Sequence, residues 1–187
     1  GDLEAVNEAR NTLRELPDIR PDEPTIVVAG YPNVGKSSFV NTVTNARNET
    51  ASYPFTTTEI RVGHIERDHI RYQLVDTPGL LDRPPEDRNE IESQAVSALE
   101  HLADAVLVMV DASGECGYPI GVQLELRDAL AARFADVPVL TVCNKSDRST
   151  EVEADHFMSV TEDENVQSTL DAAVEAVGYE PDLPYDE

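Results

Sequence analysis

Gly30-Tyr31-Pro32-Asn33-Val34-Gly35-Lys36-Ser37 is the stretch from which the fold of this chain is decided. The octet has the form GxxxxGKS. It stands between a short β-branched run, Thr25 to Ala29, and a helical pattern carried by Phe39, Val40 and Val43. Strand, glycine-rich turn and helix in that order predict a phosphate-binding loop. Gly30 and Gly35 permit backbone geometry that a Cβ would obstruct, and successive amides through Asn33, Val34 and Gly35 can face phosphate oxygens at the positive end of the helix dipole. Lys36 then neutralises β and γ oxygens, Ser37 offers its hydroxyl to magnesium, and Ser38 donates to the α-phosphate. Read only as structural punctuation, the glycines would not require the lysine and serine that follow.

Outward from this loop, Glu59 to Glu66 and His69 to Asp76 form two strand-like runs around Arg67-Asp68, which predicts an antiparallel hairpin. Helical and buried-strand patterns then alternate: Glu86 to Leu102 helical, Ala105 to Val110 strand, Val122 to Phe134 helical, Val137 to Cys143 strand. A short strand around Phe157 to Val160 and a helix from about Asp163 to Val177 complete the series. The expected class is α/β, a P-loop nucleotide-binding fold with a mostly parallel sheet, one antiparallel hairpin strand, and helices on both faces. In such sheets ligands bind beyond the carboxyl ends of the strands.

Two further motifs fall at such ends. Asp76-Thr77-Pro78-Gly79 places a carboxylate to hold magnesium or its bound water, and a glycine amide to face the γ-phosphate. Asn144-Lys145-Ser146-Asp147 fits NKxD. The Asp147 carboxylate can accept from both N1–H and N2–H of guanine, a pairing that adenine does not offer, so this site selects GTP and GDP. Between the first two motifs, Tyr53-Pro54-Phe55-Thr56-Thr57-Thr58 lacks helical periodicity and suits a switch in which one threonine closes over magnesium; the same residues also suit the start of the hairpin strand. Ser159 and Val160 can present amides to the guanine oxygen, although a plain strand end has the same sequence.

The wording of these motifs carries a resemblance. GYPNVGKSSF, YPFTTT, DTPGLLDRPPEDRNEIE and NKSD resemble the nucleolar GTP-binding protein (Nog) branch of the Obg-like GTPases, whose core is a Ras-like G domain. Thr57 and Gly63 match that family's switch pattern, which makes Thr57 the magnesium threonine, and the segment from Asp82 to Asn89 is the most specific match. Its arginines, Arg83 and Arg88, either meet a partner or sit on the surface. The resemblance implies a GTPase acting in assembly of the large ribosomal subunit. Lys36, Thr57, Gly79 and Asn33 are then the residues expected to serve hydrolysis. After Gly79 comes Leu80, where many small GTPases carry a water-orienting glutamine, so unaided hydrolysis is expected to be slow. Asn33 is expected to help hold a potassium ion, as in related GTPases. Three other readings remain open: a nucleotide-dependent ribosome-binding switch with negligible hydrolysis, an adenine-nucleotide kinase or ATPase, which NKSD argues against, and the GTPase head of a membrane transporter.

Composition frames these expectations. The 187 residues suit one domain. The segment 1–16 has the pattern of the end of a preceding helical region of a longer chain, 17–24 of a proline-bearing linker, 25–180 of the G domain and 181–187 of an acidic tail. No stretch approaches the roughly 20 apolar residues of a membrane span, and the expected setting is cytoplasmic. The two cysteines, Cys116 and Cys143, lack metal-ligand spacing and are expected to be plain thiols. The net charge is −23, and Lys36 and Lys145 are the only lysines. Such a surface repels DNA and is a poor main contact for an RNA backbone. It resembles the proteins of salt-accumulating microbes, a halophilic archaeon being the expected source. Self-repulsion of this size is screened over about 3 Å at 1 M salt, so the melting temperature is expected to rise steeply from dilute buffer to molar KCl. Full stability in dilute buffer would contradict a salt-adapted surface.

Overall fold

A computed structural model describes residues 23–44, 48–52, 59–76 and 90–178, with the side chains of 48–52, 59–60, 91–92 and 94–95 excepted. The terminal segments, the threonine cluster 53–58 with Thr57, and the stretch 77–89 with Gly79, Leu80, Arg83 and Arg88 lie outside the described residues.

The run TIVVA forms β1, Thr25–Ala29, and every residue of it is buried. β-branched side chains with no polar alternation suit a strand covered on both faces. The remaining strands are β2 (Asn48–Ser52), β3 (Glu59–Arg67), β4 (Ile70–Asp76), β5 (Ala105–Asp111), β6 (Val139–Asn144) and β7 (His156–Phe157). They make one seven-stranded sheet in the order β2-β3-β4-β1-β5-β6-β7. Pairing is parallel from β4 through β1, β5 and β6 to β7, and antiparallel on both sides of β3, so β3 alone runs against the rest. This is the expected sheet with one addition: β2 was not marked by any apolar pattern. Its sequence NETAS is held as an edge strand by pairing with β3.

The helices are α1 (Lys36–Val43), α2 (Glu90–Leu102), α3 (Ile120–Arg133) and α4 (Val166–Val177). In α1 the buried residues are Lys36, Phe39, Val40 and Val43, the spacing of one helical face. α4 buries Val166, Thr169, Leu170 and Ala173 by the same rule. Consecutive residues of β5 are all buried, so both faces of the sheet centre are covered. Among the described residues no helix is long and apolar enough to cross a membrane.

Boundaries move where turn chemistry overrides apolar pattern. The β3–β4 turn is Asp68-His69 rather than Arg67-Asp68, and both turn residues have positive φ (52° and 67°). That is the mirror-image turn whose twist matches paired strands. α4 starts three residues later than expected because Asp163 and Asn165 have positive φ and Ser159 pairs with Glu164 in an isolated bridge. The same bridge leaves β7 as His156–Phe157 only, with Ser159 and Val160 in the following turn.

The topology fixes where a ligand can sit. β1 has β4 on one side and β5 on the other, which makes its carboxyl end the point where the chain's winding reverses. Registers Val28↔Asp76, Ala29↔Val108 and Asp111↔Asn144 bring the ends of β1, β4, β5 and β6 to one edge.

Candidate functional site

That edge holds a cavity of about 440 Å³ lined by the glycine-rich loop, Asp76, Asn144 and Lys145. The loop's shape follows from its glycines. Gly30 has φ 139°, and a Cβ there would lie 2.4 Å from the Met109 carbonyl oxygen of β5. Gly35 has φ 108° and caps α1 with no side-chain hydrogen bond. The first bond of that helix runs from the Phe39 amide to the Gly35 carbonyl at 2.9 Å. The amides of Lys36, Ser37 and Ser38 therefore have no carbonyl of their own helix to bond, and all three residues line the cavity, a placement that suits an anion.

Lys36 is buried, and its Nζ donates to the carbonyls of Gly30 (2.7 Å) and Tyr31 (3.0 Å). Ser37 Oγ donates to Asp76 Oδ2 at 3.1 Å, so the hydroxyl and carboxylate expected at the metal stand side by side. These hard oxygen donors fit magnesium, which takes one or two protein oxygens and completes its shell with water and phosphate. No group of three or more His, Cys, Asp or Glu arranged to hold a metal occurs among the described residues. Asn33, in the left-handed region at φ 68°, is exposed on the loop.

The NKSD residues are tied into the fold by hydrogen bonds. Asn144 Nδ2 donates to the Val34 carbonyl at 2.9 Å, and Asn144 Oδ1 accepts from the Val160 amide at 3.2 Å. Lys145 Nζ donates to the Asn33 carbonyl at 3.1 Å. Asp147 Oδ1 accepts from Ser159 Oγ at 2.8 Å. The expected use of the Ser159 amide is corrected by its geometry: that N–H donates to Glu164 O at 3.0 Å, which closes the bridge, and the hydroxyl instead orients Asp147. The Val160 amide likewise already serves Asn144. Val160 and Thr161 line the cavity, and Thr161 had no mark in the sequence.

Two other participants were missed. Arg61 on β3 lines the cavity and donates from Nη1 to Ser37 Oγ at 2.9 Å. Asp111, fully buried at the end of β5, lies 3.2 Å from Lys145 Nζ and accepts from Ser113 and from the Cys116 amide. Gln123 of α3 clamps the same corner, accepting from the Asp111 amide at 2.6 Å and donating to the Asp111 and Tyr118 carbonyls. Tyr118 in turn stacks on Tyr31 of the glycine-rich loop, with ring centroids 4.2 Å apart. The signal for Asp111 was present: it ends a buried apolar strand, as Asp76 does.

This fold and this site define a class, the P-loop guanine-nucleotide-binding (G) domains. A model of the 50S ribosome-binding GTPases matches residues 25–145. Nucleolar GTP-binding protein 1 of Arabidopsis thaliana is 47% identical over 145 residues, 78% of this chain and 22% of that protein. Its Drosophila melanogaster counterpart is 38% identical over 181 residues, 94% of this chain and 28% of that protein. A solved Plasmodium falciparum structure assigned to nucleolar GTP-binding protein 1 superposes with a TM-score of 0.77 at 32% identity, covering 87% of this chain and 90% of the other. The G domain of the T. maritima FeoB iron transporter, at 22% identity and a TM-score of 0.65, shares the fold alone. The chain belongs to the nucleolar GTP-binding protein branch of the 50S ribosome-binding GTPase family. It spans between a fifth and just over a quarter of the length of the curated relatives it matches.

Burial works to raise the Asp111 pKa, but hydrogen bonds from Ser113 and the bond and charge of Lys145 outweigh it and hold the carboxyl below its ordinary value. A group depressed in the folded state adds stability that is full above its unfolded pKa and is lost as pH falls through the folded one. Asp111→Asn is therefore expected to cost on the order of 1.5 to 3 kcal/mol at neutral pH. In urea unfolding the gap to wild type should close below about pH 4. A gap of the same size in acid would mean that the carboxylate charge is not what stabilises this corner.

Proposed function

We propose that this domain binds GTP with magnesium, hydrolyses it slowly, and acts in assembly of the large ribosomal subunit. The observation that carries the nucleotide reading is electrostatic. In a chain of net charge −23, both lysines, Lys36 and Lys145, line the one cavity that also holds Ser37 and Asp76. A positive focus inside an acidic protein attracts a polyanion at close range.

The roles follow from reach. The amides at the start of α1 and around Gly35 cradle phosphate oxygens. Lys36 transfers its ammonium from the Gly30 and Tyr31 carbonyls to β and γ oxygens. Ser37 and Asp76 hold magnesium, which when bound offsets charge developing on the phosphates. Thr57 and Gly79, outside the described residues, complete this half by resemblance. At the other end Asp147, steadied by Ser159, takes the guanine edge, with Asn144, Lys145 and Val160 shaping the wall. Asn33, exposed beside the phosphates, is the candidate potassium ligand. The slow rate rests on Leu80, which has no group to orient water. An arginine finger elsewhere supplies on the order of 10³ to 10⁵ in rate. The ribosomal role rests on the family description and on the relatives' names; the cytoplasmic setting and the salt-adapted surface rest on composition.

Isothermal titration in high KCl and magnesium tests the site, using non-hydrolysable GTP, GDP and ATP analogues with wild type and Asp147→Asn. The expected result is guanine-selective binding that the substitution moves toward xanthine nucleotides by at least about tenfold, the scale of a charge-assisted hydrogen bond. Absence of guanine binding by a folded domain would reject the reading. Single-turnover hydrolysis in KCl and NaCl at matched ionic strength addresses Asn33: equal rates remove potassium from the account. Adding large ribosomal subunits to the same assay separates an intrinsic GTPase from a switch that hydrolyses only on its partner.

A further inference from the structure

The metal half of the cavity contains a cation that no motif accounts for. Arg61 stands directly opposite Asp76 in the β3–β4 register, so both side chains project from the same face of the sheet. Its Nη1 donates to Ser37 Oγ at 2.9 Å, and that hydroxyl donates onward to Asp76 Oδ2 at 3.1 Å. Guanidinium, hydroxyl and carboxylate thus form a chain through the two groups whose chemistry suits magnesium. Asp76 is fully buried, and a buried carboxylate requires a compensating charge.

We propose that Arg61 is the resident counter-ion of the Ser37–Asp76 pair and competes with magnesium for it, so that loading of magnesium nucleotide displaces the guanidinium. This rests on the nucleotide site proposed above. A divalent ion on Ser37 and beside Asp76 would stand a few ångströms from the guanidinium, in a site where water screens poorly, and two cations there repel strongly. The displaced group does not leave the site. Arg61 lines the same cavity as Lys36, so its charge remains available to phosphate oxygens. Two consequences follow: the pair stays neutralised before magnesium arrives, and nucleotide affinity depends less on magnesium than it would with a neutral residue at 61.

The test is a titration of free magnesium against binding of a fluorescent GDP analogue, with wild-type chain, Arg61→Gln and Arg61→Lys, each checked for folding by circular dichroism. For Arg61→Gln the magnesium midpoint is expected to fall about tenfold, the scale of losing one charge-assisted hydrogen bond from the competitor. The ratio of GDP affinity with magnesium to that in EDTA should rise correspondingly. Arg61→Lys, which keeps the charge but not the planar fork, should shift less in the same direction, and it carries the test if Arg61→Gln does not fold. A midpoint that is unchanged or higher in the folded variants overturns the proposal while leaving the nucleotide site intact. Failure of the wild-type chain to bind the analogue at any magnesium concentration overturns both.

Discussion

The site depends on one side chain, the carboxamide of Asn144. Its Nδ2 holds the Val34 carbonyl of the phosphate loop and its Oδ1 holds the Val160 amide of the segment after β7, so a single residue at the end of β6 splints the phosphate loop to the segment after β7 across the cavity. Asn144 is 3% exposed, and a carboxamide so buried needs both of its ends bonded. Its position dictates the loop's sequence in turn. A Cβ on Gly35 would fall 2.1 Å from Asn144 Nδ2, so the second glycine of the octet answers a contact made by a residue far along the chain as well as the demand of its own φ.

Lys145 and Asp111 extend the splint sideways. Lys145 ties the Asn33 carbonyl to the buried Asp111 carboxylate, which organises the turn after β5, and Tyr118 of that turn packs on Tyr31 of the loop. The phosphate loop is therefore held from β6 and from the β5–α3 turn at once, in addition to the bonds that Lys36 makes to the Gly30 and Tyr31 carbonyls within it. Preorganised donors of this kind lower the ordering cost of binding.

Much of this was legible in the sequence because local chemistry and local structure coincide there. GxxxxGKS names its turn, its helix start and its ligand together, and the apolar runs of β1 and β5 are short, as buried strands are. What stayed hidden depends on pairing across space. The edge strand β2 has no apolar signal of its own. A turn at Arg67-Asp68 would set Asp76 opposite Glu59, two like charges; the observed turn at Asp68-His69 slides the partner to Arg61, of opposite charge. That shift in register is what brings a cation to Ser37. For Ser159 the type of residue was informative and the atom was not, because the bridge to Glu164 takes its amide and leaves the hydroxyl for Asp147. Asp111 ended a strand in plain view, but its role comes from the turn of Ser113 and Cys116 that bonds it and from Lys145, which the fold brings to it.

The splint is tested most directly with a ligand that has no base. Inorganic pyrophosphate engages the phosphate loop alone, and its binding to wild type and Asn144→Ala can be followed by phosphorus NMR in high KCl and magnesium. If Asn144 organises the loop, the substitution weakens pyrophosphate about tenfold, the scale of one buried hydrogen bond, although the residue belongs to NKSD rather than to the loop. Unchanged pyrophosphate affinity alongside weakened GDP binding would contradict this account: the two halves of the cavity would then be independent, with Asn144 serving the guanine side alone.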